Sequence, residues 1–365
     1  MENKQKKLIF ENKAENPEWD QYVSNHPDGH YTQLSSWARI KQIEGWFAER
    51  VIMSDQQQNI IGGCQYLIKK YIGCLWLVCI SKGPIVDNNE STNFSYLVDE
   101  IINRLGRKLF LLYIQPADTY HSHCQLLLNK GFTLSDEGDI EKPATVLIDL
   151  EGTEEQVLSR IKSKKRRNIR QALKNGIICH PGSFDDLQTF FKLHQHTSEV
   201  HNFGIQSYQF FIDLWENFYP SNNLVMIIAE YEQKPVTIML GIIFKNKFYS
   251  YRIGWSGEHA NLHPNECIYG YAIEWARKSG LKWFDFGGIE LEAARAVLEN
   301  REYIDEERHS YTTFKLRFSE SVAVYPQTYR YISKTLGFYA LTNFFLKIQL
   351  LNTLIRKIYQ LIRKR

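Results

Sequence analysis

Apolar and polar positions follow two periods along this chain, and the switches between them mark its elements. From Pro17 to His26 and from Ser35 to Glu44 the apolar residues, Trp37, Ile40 and Ile43 among them, recur at helical spacing. Phe47 to Met53 and Ile60 to Ile68 read as strands on either side of a polar turn at 54–59. Leu75 to Ile80 reads as a buried strand ended by Gly83-Pro84, Ser91 to Leu105 as a helix, and Lys108 to Gln115 as another buried strand closed by Pro116. A charged, glycine-containing stretch, Ser135–Pro143, separates these from a strand at Ala144–Leu150.

A similar order follows from Thr153. A basic helix over 158–175 leads to helices at Asp185–Thr197 and Tyr208–Asn217, strands at Leu224–Tyr231, Val236–Phe244 and Lys247–Trp255, a helix at Asn265–Ser279 and a strand at Trp283–Phe286. Two α/β (α+β) units of comparable length, each a mixed sheet with flanking helices, are the expected architecture. The predicted divisions are residues 1–150, residues 151–320 with an acidic insertion at 289–309, and a basic amphipathic tail at 321–365.

Charge sharpens this picture. The 365 residues carry a net charge of +3, but the stretch from Ser321 to Arg365 holds eight bases and no acid, which leaves −5 for residues 1–320. In the tail, Tyr339, Phe344, Phe345, Ile348, Leu351, Ile355, Ile358 and Ile362 recur at roughly helical spacing between bases. Lys347, Gln349 and Asn352 interrupt the long apolar run, so a helix lying on an anionic leaflet is expected rather than a span. Packing on the body is the alternative. Lys4, Lys6 and Lys7 are followed by Glu11 and Asn12 instead of an apolar run, so no secretory leader is expected; the location read from this is cytoplasmic, peripheral at the inner face of the membrane.

Six scattered cysteines without a CxxC pair argue against a disulfide scaffold or a zinc ribbon. The pairs His121/His123 and His194/His196 lack an accompanying ligand cluster, and neither a metal nor a cofactor is expected. No Walker loop, GxGxxG, GxSxG or HExxH is present. The strongest local signal is Arg160–Lys174, where eight bases fall in fifteen residues and no acid occurs from Gln156 to Phe184. With Leu158, Ile161, Ile169, Ala172 and Leu173 keeping one face dry, such a helix can present Lys164, Lys165, Arg166, Arg167 and Arg170 to a phosphate backbone. Seven acids against three arginines between Ile289 and His309 mark either a mobile insertion or a solvated helix.

The ordered set Gln33…Trp37…Lys41…Gly45-Trp46, Lys82-Gly83-Pro84, the Lys164–Gly176 helix, Tyr251…Gly254…Ser256, Pro264-Asn265, Phe284-Asp-Phe-Gly-Gly288 and Phe314-Lys315 resembles the FemABX family of peptidoglycan aminoacyltransferases, in its compact form without a coiled-coil arm. The resemblance implies two GNAT-like domains with a cleft between them. It implies an aminoacyl-tRNA donor and an acceptor amine on a peptide carried by lipid II or by its UDP-linked precursor, handled by a monomer. By the same resemblance Trp37 and Lys41 meet the acceptor's phosphates and sugar, Tyr208, Tyr251 and Asn265 line substrate sites, and Phe314 and Lys315 lie at the transfer site. Where the family usually offers an arginine after the middle helix, this chain has Gln206.

An aminoacyl ester is already activated, so transfer to an amine needs positioning and charge stabilisation but no covalent enzyme intermediate. Two alternatives stand beside this. An ordinary GNAT acyl-CoA N-acyltransferase needs a glycine-rich pyrophosphate loop at a helix start, and this chain has Ser256-Gly-Glu-His-Ala-Asn-Leu-His-Pro264 there. The other is a non-catalytic RNA- or membrane-binding protein on a decayed transferase fold.

Overall fold

The computed structural model describes residues 6–71, 75–303 and 310–333, which fold as two compact units. The first unit runs to Glu141 and takes up the chain again from Tyr325; the second is Lys142–Val324.

In the first unit, strand β1 (Lys7–Glu11) leads to helices α1 (Pro17–Asn25) and α2 (Ser35–Gln42). Asn16 caps α1 by accepting from the Trp19 amide at 3.0 Å, with Pro17 at its first position. Strands β2 (Phe47–Ser54), β3 (Ile60–Tyr71), β4 (Leu75–Ser81) and β5 (Ile85–Val86) follow, then α3 (Ser91–Leu105), β6 (Leu109–Gln115), α4 (His123–Asn129) and β7 (Thr133–Leu134). Phe94, Leu97, Val98, Ile101 and Leu105 recur every three or four residues on α3, and that face is buried in one core with Val78, Ile80, Leu112 and Ile114 of the sheet. Each such side chain contributes about 1.5–3 kcal/mol by leaving water.

The second unit holds β8 (Ala144–Asp149), α5 (Glu154–Ser159), α6 (Ser163–Lys174), β9 (Ile178–Pro181), α7 (Leu187–His201), α8 (Tyr208–Phe218), β10 (Leu224–Tyr231), β11 (Lys234–Phe244), β12 (Lys247–Trp255), α9 (Pro264–Lys278), β13 (Trp283–Gly288), α10 (Leu291–Leu298), α11 (Tyr311–Leu316) and β14 (Val322–Val324). A last strand, β15 (Tyr329–Ile332), returns to the first unit. The sheets run β1-β2-β3-β4-β6-β15-β7, with β5 beside β3, and β14-β8-β13-β12-β11-β10-β9. Both are mostly antiparallel, with one parallel pair at the centre of each: β4 with β6, and β12 with β13.

Four expectations are corrected. Strand β8 belongs to the second sheet, paired with β13 and β14, so the units divide at Glu141/Lys142 and not at 150/151. Residues 322–324 and 329–332 are strands completing the two sheets, so the first part of the expected tail is core structure; the calls on 334–365 lie outside the described residues. The basic helix breaks between Ser159 and Ser163, and its buried positions are Ile161, Lys165, Asn168 and Ala172, while Leu158 and Leu173 are exposed. Within the acidic segment, 291–298 is a helix whose Ala293, Ala294 and Ala296 are buried, and 304–309 lies outside the described residues.

Candidate active site of the second unit

The parallel pair β12/β13 opens early. It is in register for Lys247↔Trp283, Phe248↔Phe284 and Tyr249↔Asp285 and no further. On its other side β12 pairs Gly241↔Ser250 and Leu240↔Arg252, leaving Tyr251 as the extra residue of a β-bulge. A bulge bends its strand and re-aims side chains, and beyond Tyr249 the ladder between β12 and β13 is open. Gly287, at φ +75°, passes so close to β12 that an added Cβ would meet the Ser250 carbonyl oxygen at 2.9 Å. The buried Asp285 carboxylate accepts from the Gly287 amide at 2.8 Å and from the Thr145 hydroxyl, fixing that turn.

Lys315 reaches this opening from α11, with Ser310 capping the Thr313 amide at 3.2 Å. Its Nζ donates to the Gly288 carbonyl oxygen at 2.9 Å and lies 5.2 Å from the centre of the Tyr311 ring. Burial is the main cause that lowers this ammonium to about 8; Asp285 opposes the shift, while Lys142 and Arg252 add to it. Lys142 pairs with Glu290 at 2.7 Å, and the half-buried Arg252 lies over the Tyr251 ring at 4.1 Å and donates to the Tyr251 carbonyl oxygen at 2.8 Å.

Next to Lys315, Phe314 lines a cavity of about 380 Å³ with Trp255, His263, Asn265, Glu266 and Arg317. The cavity sits at the start of α9, where Asn265 Oδ1 accepts from the Thr237 hydroxyl at 3.1 Å. Lys165, buried on α6, donates to Glu266 at 2.8 Å and lies 4.0 Å from the centre of the Phe314 ring; Asn168 reaches the same carboxylate at 3.2 Å. Burial works against the Glu266 carboxylate, but these hydrogen bonds and the Lys165 charge hold it below its ordinary range. Burial likewise lowers the Lys165 ammonium against the opposing pull of Glu266.

Lys315, Phe314, Tyr251 and Asn265 therefore all belong to this region of the second unit, and Lys165 joins them as a buried supporting cation rather than as a surface contact. Lys164, Arg167 and Arg170 are exposed and Arg166 half-buried on α6, and none of the four pairs with an acid among the described residues. Trp37 and Lys41 lie in the first unit and are both buried; Lys41 pairs with Glu44, its Nζ 5.8 Å from the centre of the Trp37 ring. Tyr208 heads α8 and packs on Phe191 with ring centres 5.3 Å apart. Gln206 is 3% exposed and turned inward, unlike an arginine reaching for phosphate. His194 and His123 are buried among aromatic rings, His194 with Nδ1 2.8 Å from the Ile253 carbonyl oxygen. Arg252, Lys142, Asp285 and Glu266 escaped the sequence reading. Asp285 stood inside a quoted motif, whereas nothing in spacing distinguishes a lysine at the end of a linker.

Two sheets of this order, each centred on a parallel pair, define a tandem GNAT-fold protein. The model described as "Acetyltransferase (GNAT) domain" matches residues 159–295, and that of the FemAB family matches 14–126. The resemblance to the FemABX family is borne out by these matches and by the relatives. The lipid II:glycine glycyltransferase of Staphylococcus saprophyticus is 25% identical over 228 residues, 60% of this chain and 55% of that protein. Its Staphylococcus aureus namesake is 25% identical over 232 residues, 60% of this chain and 54% of that protein. The chain thus spans about half the length of the curated relatives it matches. The crystal structure of FemX superposes with a TM-score of 0.76 at 17% identity, covering 93% of this chain and 99% of that one. L-PGS from Bacillus licheniformis gives 0.52 at 12%, covering 92% and 98%. These structural likenesses speak to the fold. No helix among the described residues is long and apolar enough to cross a membrane.

Proposed function

We propose that this chain is an aminoacyltransferase that moves an amino acid from aminoacyl-tRNA to an amine of a peptidoglycan precursor peptide, carried by lipid II or by a nucleotide, acting as a monomer at the inner face of the membrane. The observation that carries the reading is the opening between β12 and β13, with the Lys315 ammonium held at its edge by Gly288 and the Phe314 cavity beside it. The acceptor amine attacks the ester carbonyl, forming a C–N bond; the tetrahedral oxyanion collapses, the C–O bond to the ribose breaks, and the amine proton leaves with the ribose hydroxyl. Lys315 supplies a fixed positive charge for that oxyanion or for the donor's terminal phosphates. Lys164, Arg166, Arg167 and Arg170 supply phosphate contacts further along the tRNA. Lys165 and Glu266 position Phe314.

Acyl-CoA use is the weaker reading. A pyrophosphate at the start of α9 would meet the Glu266 carboxylate, and residues 259 and 263 of the preceding loop are left-handed histidines where close phosphate approach calls for glycine. Incubating the protein with a mixture of labelled aminoacyl-tRNAs and lipid II, followed by mass spectrometry of the muropeptide, tests the proposal. An added aminoacyl mass is expected. No addition from any charged tRNA, with acetyl transfer from acetyl-CoA to an amine instead, would overturn it.

A further inference from the structure

Cys179 and Cys267 stand apart from the site just described, yet one of them adjoins it. Cys179 lies on β9, the edge strand of the second sheet, and is half-buried; Cys267 is in the first turn of α9 and 1% exposed. They are 88 positions apart in the chain, and their sulfurs are 3.6 Å apart, with the Cys179 thiol directed at the Cys267 sulfur. Asn265 and Glu266, the residues just before Cys267, line the cavity.

We propose that Cys179 and Cys267 form a reversible disulfide under oxidising conditions, a modification that ties the edge strand to the helix whose first turn walls the cavity. A disulfide needs its sulfurs about 2.0 Å apart, so the pair must close by roughly 1.5 Å, within reach of small side-chain rotations. The chemistry balances with a peroxide as oxidant. The half-exposed Cys179 sulfur takes one oxygen from hydrogen peroxide, releasing water; the Cys267 sulfur then attacks it, forming the S–S bond and expelling a second water. Two thiols and one peroxide give one disulfide and two waters. The S–H···S contact orients the buried sulfur for that second step and lowers the Cys267 thiol, whereas the same contact, together with burial, pushes the Cys179 thiol up. Elsewhere among the described residues the Cys64 thiol donates to the Gln65 carbonyl oxygen at 3.5 Å and the Cys124 thiol to that of Tyr120 at 3.7 Å.

The test uses the full chain and does not depend on its activity. Protein incubated with hydrogen peroxide or diamide is denatured, alkylated, digested without reductant and mapped by mass spectrometry. The expected product is a Cys179–Cys267 linked peptide, with the intact mass lower by two hydrogens and both changes reversed by dithiothreitol. Closing so long a loop raises the melting temperature of the oxidised protein by on the order of 5–10 °C, and Cys179→Ser and Cys267→Ala each abolish the shift. Both cysteines alkylated after oxidation, a linkage to Cys124 instead, or sulfinic acid at Cys179 without a linked peptide would overturn the proposal. The wild-type peptide map decides this even if either variant misfolds.

Discussion

The central parallel pairs of the two sheets differ in how their ladders end and in what stands beyond them. In the first unit β4 and β6 stay in register from Leu77↔Leu111 to Ser81↔Gln115, after a register shift at Trp76, and the Gly83 amide extends the contact to the Gln115 carbonyl oxygen at 3.2 Å. The position beyond is filled: Lys82, 3% exposed, pairs with Asp118 at 2.7 Å, its Nζ 4.9 Å from the centre of the Tyr325 ring, while the Gln115 amide donates to the carbonyl oxygens of Glu141 and Pro326. In the second unit the β12/β13 ladder ends after three pairs, beside the bulge at Tyr251, and Lys315 stands at the opening with the Gly288 carbonyl oxygen as its hydrogen-bond acceptor. A zipped pair with a buried ion pair beyond it builds a scaffold. A parted pair with an ammonium destabilised by burial builds a place for a developing negative charge.

The sharpest way to break that contrast is to remove each lysine's charge while keeping its stem. Lys315→Met is expected to lower the transfer rate on the order of a hundredfold or more at saturating donor and acceptor, with little change in melting temperature. Lys82→Met is expected to do the reverse, costing about 1–3 kcal/mol in urea unfolding because the buried ion pair with Asp118 is broken, with the rate per folded molecule nearly intact. Equal kinetic losses in the two variants would end the distinction between scaffold and reacting unit. Glu266→Ala comes next: it leaves Lys165 buried without its carboxylate, so it is expected to lower the unfolding midpoint measurably and to raise the apparent KM for tRNA as Phe314 loses its support. Rate and stability both unchanged would make that network incidental.

Most of the architecture was legible because its signals are local. The 3–4 spacing of Phe94 to Leu105 and the buried runs at 75–81, 109–115 and 224–231 carry their periods in a few residues. What was not legible depends on pairing between distant segments. Nothing near Ala144 says that its strand lies between β13 and β14, and nothing near Tyr329 says that it pairs with Ile114. The site divides in the same way. Lys315, Phe314, Tyr251 and Asn265 came from a resemblance in motif order and do cluster in one unit. Trp37 and Lys41 came from it too, yet they are buried here, because the apolar spacing that made α2 a helix also turns both inward. Lys165 sat in a run of bases where composition cannot separate the one that faces Glu266 from those that face water.

That separation can be tested on α6 itself. Arg166, Arg167 and Arg170 changed together to Gln are expected to weaken tRNA binding roughly tenfold or more at moderate salt and to flatten the dependence of log K on log salt, since each lost phosphate contact removes a released counterion. Lys165→Gln is expected to leave that slope unchanged, because its charge is committed to Glu266 inside the unit. A slope altered by Lys165→Gln and not by the triple variant would reverse the assignment of inward and outward cations.

The smallest effect, and the most diagnostic of Lys315, is its dependence on pH. An ordinary lysine stays charged until about pH 10.4, but burial lowers this one to about 8, so its ammonium is lost as pH rises through about 8. If the charge stabilises the reaction, single-turnover transfer corrected for spontaneous ester hydrolysis falls several-fold between pH 7 and pH 9. Stability must move the other way over the same window. Between about pH 8 and pH 10.4 the unfolded chain binds a proton that the folded chain has released, so this group makes the folded state more stable as pH rises. Lys315→Arg keeps its charge throughout, and the fall in its residual transfer above pH 8 should disappear; Lys315→Met should lose both trends. Transfer that instead rises through pH 8 in the native protein and is flat in Lys315→Met would assign the neutral amine as a base for the acceptor, and the charge-stabilising role would have to pass to Arg252 beside the opening.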